Sequence, residues 1–81
     1  MEAEVVYREE FEIGGGDYVH AGEASSKIKK ILKEIGIDTG VIRRLSIAAY
    51  EAEMNVVMYA KNGIMRLLIY PDRIKLEIED E

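Results

Sequence analysis

Gly14-Gly15-Gly16, Gly36, Asn62-Gly63 and Pro71-Asp72 cut this chain of 81 residues into segments that each hold one helix or one strand. No segment between these breaks leaves room for a second core, so a single small domain is expected. Val5, Tyr7, Phe11 and Ile13 fall on one side of a period-two pattern, with Arg8, Glu10 and Glu12 on the other. That predicts a strand over Val5–Ile13. The three glycines end it and read as a flexible connector. Asp17 then stands as an N-cap, and Ala24, Ile28, Ile31 and Ile35 step at helical spacing, which predicts a helix from about Tyr18 to Ile35. Gly22 weakens that helix by roughly 1 kcal/mol relative to alanine, and Gly36 stops it.

A second helix follows, capped by Asp38. Val41, Leu45, Ala48, Ala52 and Val56 form its expected buried stripe, and it runs to about Lys61. Asn62-Gly63 breaks the pattern. Ile64–Tyr70 is β-rich and too short for a helix, Pro71-Asp72 makes a turn, and Ile74, Leu76 and Ile78 alternate with Lys75, Glu77 and Glu79 as the second arm of a hairpin. The order strand, helix, helix, strand, strand predicts an α+β two-layer sandwich, with both helices on one face of a small sheet.

Charge narrows the function classes. The net charge is −5, but the acids crowd the ends, and residues 14–76 are slightly basic. A pI near 4.9 argues against generic nucleic-acid binding, which rests on phosphate neutralisation. Lys27, Lys29, Lys30 and Lys33 read as the solvated face of the first helix. No apolar run approaches the roughly 20 residues that span a bilayer. With no basic and apolar leader, a cytoplasmic location is expected. The absence of cysteine excludes disulfides and thiolate metal sites. A lone histidine, His20, cannot build a His-based metal cluster. Gly14–Gly16 lacks the Lys-Ser/Thr pair of a phosphate-binding P-loop.

One segment carries candidate chemistry. In the stretch from Ala48 to Ala60, Glu51 and Asn55 lie four apart, on one helix face about one turn from each other. An amide oxygen can ligate Mg²⁺, and a carboxylate can take a proton from an attacking hydroxyl. Spacing alone is a weak signal, because Glu-x-x-x-Asn recurs by chance in many helices. The wider pattern adds to it. A second helix bearing Glu51, Ala52, Asn55 and Ala60, followed by a hairpin ending at Asp80, resembles the N-terminal part of the anti-sigma-factor serine/threonine kinases. These belong to the ATPase superfamily of gyrase, histidine kinases and MutL.

In that family the helix carries an "N box" of the form Glu-Ala-x-x-Asn-x-x-x-His-Ala. Here Tyr59 stands where histidine is usual. The resemblance implies a partial histidine-kinase-like ATPase fold. It further implies that Asn55 ligates the Mg²⁺ of ATP, that Glu51 is the general base activating a partner's serine, and that Asp80 bonds adenine. The implied partners are a sigma factor or an antagonist protein, together with a second copy of the chain paired through the N-terminal region. The glycines, lid and second glycine-rich box that follow Asp80 in the family lie outside these 81 residues. The chain therefore reads as the N-terminal half of such a domain, with weak nucleotide binding expected. The alternatives are a non-catalytic dimerisation or interaction module with a vestigial ATP site, and a plain α+β domain with a fortuitous Glu-x-x-x-Asn. The kinase reading requires Glu51 and Asn55 to face a concave surface between the second helix and the sheet.

Overall fold

Five elements follow one another in the computed structural model, which describes residues 4–81: β1 (Tyr7–Gly14), α1 (Glu23–Glu34), α2 (Thr39–Tyr59), β2 (Asn62–Ile69) and β3 (Ile74–Asp80). The strands form one antiparallel sheet in the order β1-β2-β3. Its register pairs Phe11 with Met65 and Met65 with Ile78, and on the other face Glu10 with Arg66 and Arg66 with Glu77. Alternation thus sorts the side chains. Phe11, Ile13, Met65, Leu67 and Ile69 are buried beneath the helices with Ile28, Leu32, Val56 and Val57. The opposite face carries charge, with Arg66 bonded to Glu10 at 2.6 Å and near Glu79 at 3.6 Å. The expected α+β arrangement of two helices on a three-stranded sheet is present.

Several boundaries differ from the expectations above, each for a physical reason. The first helix does not begin at Tyr18, and Asp17 does not cap it. The Asp17 carboxylate is used in the preceding turn, where it accepts from the backbone N–H of His20 and lies 2.9 Å from His20 Nδ1. The N-cap is Gly22, at φ 95° and with no capping side chain of its own, so the glycine that seemed to weaken the helix is where it starts. Gly36 does end α1, at φ 80°, with Ile37 N–H bonded back to Leu32 O at 3.1 Å. Asp38 caps α2 by accepting from Gly40 and Val41 N–H.

The glycine run is not a loose connector. Gly15 N–H donates to Lys61 O, and Gly16 N–H to Val57 O. A Cβ on Gly15 would come within 1.8 Å of Ala60 O. The run is therefore a close approach of backbone to the end of α2. The helical pattern does end before Asn62-Gly63, with α2 closing at Tyr59, but β2 starts at Asn62 rather than Ile64. Val56 methyls lie 2.9 and 3.0 Å from where a Gly63 Cβ would stand. The missing side chain lets the helix rest directly on the strand. Asp80 is held in β3 opposite Gly63, and Glu81 donates its N–H to Asn62 O and accepts from Lys61 N–H.

The buried stripe of α2 is also rotated from the expected one. Ile42, Ala49, Glu53, Val56 and Val57 are buried, whereas Val41, Leu45 and Ala52 are only half-buried and Ala48 is exposed. A carboxylate in the middle of the stripe, Glu53, hid it from a hydrophobic pattern.

Candidate functional site

The most constrained polar group in the protein is the Glu53 side chain. It is 2 % exposed, among the apolar residues of the core. A carboxylate there requires partners, because burying an unsatisfied charge is costly. It has three. Gly22 N–H and Ala24 N–H donate to Oε2 at 3.0 and 3.2 Å, and Ser25 N–H donates to Oε1 at 2.9 Å. These are N–H groups at the start of α1, which intrahelical bonds leave unpaired. The helix dipole also favours negative charge at that end. Glu53 is therefore a cap supplied by α2 to α1, replacing the side-chain cap that Gly22 cannot give. Ser25 Oγ completes the turn by donating to Gly22 O at 3.1 Å.

Glu51 lies two residues earlier on the same helix and faces the other way, since each residue advances about 100° around the axis. It is exposed, as is Asn55. Among the described residues neither side chain has a hydrogen-bond or ion-pair partner. The two share one face of α2, as their spacing requires. Neither lines the concave surface where α2 meets the sheet, which Glu53 and Val57 border instead. This cleft of about 470 Å³ lies between β1 and the start of α1, with Glu12, Asp17, His20, Lys27 and Glu53 on its walls. Glu51, Asn55 and Asp80 are not part of it. The site expectation is corrected on this point: the carboxylate turned inward is Glu53, and the Glu51–Asn55 pair sits on the outer face of the helix.

Asp80 belongs to the row Ile13–Gly63–Asp80, on the helix side of the sheet. Val56 rests on Gly63, which places Asn55 and Asp80 at the same end of the molecule. Asp80 is exposed. The donor chemistry of Asn55 and Glu51 fits contact with a hydrated Mg²⁺, and both groups are free to make it. Enclosure does not fit: all three residues are exposed, and none lines the cleft beside Glu53. No group of three or more metal-ligating His, Asp or Glu residues occurs among the described residues.

The outer face of α2 also carries exposed apolar side chains. Ile47, Tyr50 and Met58 are 54 %, 51 % and 49 % exposed, with Met54 half-buried between them. No helix of the described residues is long and apolar enough to cross a membrane. No family model, curated protein or solved structure matches this chain.

Proposed function

We propose that the chain is an anti-sigma-type regulatory protein related to the serine/threonine kinases of the histidine-kinase-like ATPase class, carrying the helix-and-sheet half of that fold. The observation that supports this reading is the division of labour on α2. Glu53 is consumed in capping α1, while Glu51 and Asn55 stay unpartnered on one face, at the end of the molecule that also presents Asp80. In this reading Asn55 contacts Mg²⁺ and Asp80 contacts adenine from the open surface. Glu51, turned away from the concave surface a general base would need, is given no catalytic role. ATP would supply the phosphoryl group. No transfer step is assigned to these residues as they stand, because nothing encloses the phosphates.

The expected nucleotide contact is correspondingly weak. One hydrogen bond from Asp80 is worth about 1.5–3 kcal/mol, against roughly 4 kcal/mol for millimolar affinity. Titration of ¹⁵N-labelled protein with Mg²⁺-ATP tests this. Shifts should centre on Glu51, Asn55 and Asp80, should not saturate below about 1 mM, and should vanish in Asn55→Ala. No shifts at any concentration, or shifts confined to the Glu53 cap, would overturn the reading.

The exposed stripe of Ile47, Tyr50 and Met58 favours a second reading, a non-catalytic interaction module in which this helix face binds a protein partner such as a sigma factor. Under it, Tyr50→Ser and Met58→Ser would abolish partner binding while Asn55→Ala would not.

A further inference from the structure

Among the described residues the sheet has two open edges. Over runs of five or more residues, only the β3 edge can pair antiparallel with itself within the strand without opposing like charges. Tyr70 N–H donates to Arg73 O, and Glu81 N–H donates to Asn62 O. Odd-numbered residues of β3 therefore direct their backbone groups toward β2. In an antiparallel ladder these directions alternate, so Ile74, Leu76 and Ile78 direct theirs to the free edge. Their side chains lie on the helix side of the sheet. Ile74 and Leu76 are half-buried, and Ile78 is 44 % exposed.

Two copies of β3 can pair antiparallel only in registers that bring these outward-facing residues opposite each other. With Leu76 opposite Leu76 of the second copy, Lys75 meets Glu77 twice, Ile74 meets Ile78 twice, and Arg73 meets Glu79 twice. Sliding by one step in either direction puts Lys75 opposite Lys75, or Glu77 opposite Glu77. A further step sets Lys75 against Arg73, or Glu77 against Glu79. Counting only pairs in which both residues lie within β3, and runs of at least five, the register centred on Leu76 alone avoids like charges directly opposite, which destabilise a strand pair. Beyond Arg73 it brings Asp72 of the turn opposite Asp80. It also continues the charge alternation already present across the polar face, where Glu10 pairs with Arg66 and Arg66 with Glu77. β1 has no such solution. Every self-pairing of five or more residues within that strand that brings outward-facing residues opposite each other sets two glutamates from Glu9, Glu10 and Glu12 against each other.

We propose that β3 is a self-association edge, pairing with β3 of a second copy in the register centred on Leu76 to make a continuous six-stranded sheet. The inference rests on backbone direction and charge order alone and is independent of the nucleotide reading.

Light scattering of the full chain over a concentration series tests it, together with charge variants. Wild type should be dimeric at tens of micromolar. Lys75→Glu and Glu77→Lys should each weaken the dimer by roughly tenfold or more, since each turns two attractive cross-strand pairs repulsive. An equimolar mixture of the two single variants should recover a dimer containing one of each, and the double variant Lys75→Glu/Glu77→Lys should recover a homodimer. Amide exchange of the wild type adds a readout that needs no substitution. The amides of Leu76 and Ile78 should become protected as concentration rises, while those of Glu77 and Glu79, bonded to β2, stay protected throughout. A monomer at every concentration would overturn the proposal. So would a dimer indifferent to both single variants, a double variant as weak as the singles, or protection that grows on β1 instead.

Discussion

Glu51 and Glu53 carry the same functional group on the same helix, two residues apart, and differ in everything that surroundings decide. Glu53 is buried, and its oxygens take three backbone N–H groups from the start of α1. Glu51 is exposed, with its carboxylate open to solvent. The inner face of α2 spends its acid on architecture. The outer face keeps its acid and amide for whatever approaches from outside. A carboxylate at a candidate site is thus informative only after its hydrogen bonds are counted, and in this protein the more buried acid is the structural one.

The sharpest way to break the comparison is Glu53→Ala. It leaves three N–H groups unpaired in the core, with an expected cost of about 4 kcal/mol, most of the stability of a domain this small. Denaturant unfolding should show a protein at or near its midpoint in plain buffer; a loss under about 1 kcal/mol would mean that water replaces the cap. Glu53→Gln sharpens the same point. It keeps one acceptor oxygen and turns an NH₂ toward backbone N–H groups, so a loss of about 2 kcal/mol is expected by the same measurement.

Gly22→Ala probes the backbone that Glu53 caps. At φ 95° an alanine is strained, and there is open space around the position, with only Tyr50 Cε1 near, at 3.7 Å. The expected loss is about 1–2 kcal/mol from conformation alone. On the outer face, Glu51→Ala and Asn55→Ala should each stay within about 0.5 kcal/mol of wild type. A larger loss in either would show that this face is structural too.

The smallest effect concerns a third carboxylate, exposed yet partnered. The hydrogen bond from Arg66, supported by its charge and that of Arg8, holds the Glu10 carboxyl below the usual carboxylate range. A depressed folded value means that the pair stabilises the protein above the ordinary carboxylate pKa, and that this contribution is lost as pH falls through the folded value. Side-chain NMR titration should find the Glu10 midpoint low in wild type and returned to the ordinary range in Arg66→Gln. An unchanged midpoint would remove the Arg66 bond as the cause.

The sequence by itself determined the element order, because period-two and helical spacings survive in any context that buries one face. The α1 stop at Gly36, the α2 cap at Asp38 and the hairpin turn at Pro71-Asp72 were legible for the same reason: local backbone chemistry decides them. The pairing of Glu51 and Asn55 on one face was legible as well, since four residues make about one turn. Only the tertiary structure decided which face that is. The expected stripe through Val41, Leu45, Ala48, Ala52 and Val56 was read from apolar residues, and of these only Val56 is fully buried. The true stripe passes through a carboxylate whose partners lie nearly thirty residues earlier in the chain. Nothing local marks Glu53 as the cap of α1, because the donors come from a different element. The same holds for Gly15 and Gly63. Their glycine character looked like flexibility or a break, whereas each is a place where α2 presses against a strand or its connecting backbone too closely for a Cβ. Contacts between elements distant in sequence set the start of α1, the rotation of α2 and the extent of β2, and those contacts exist only once the chain has folded.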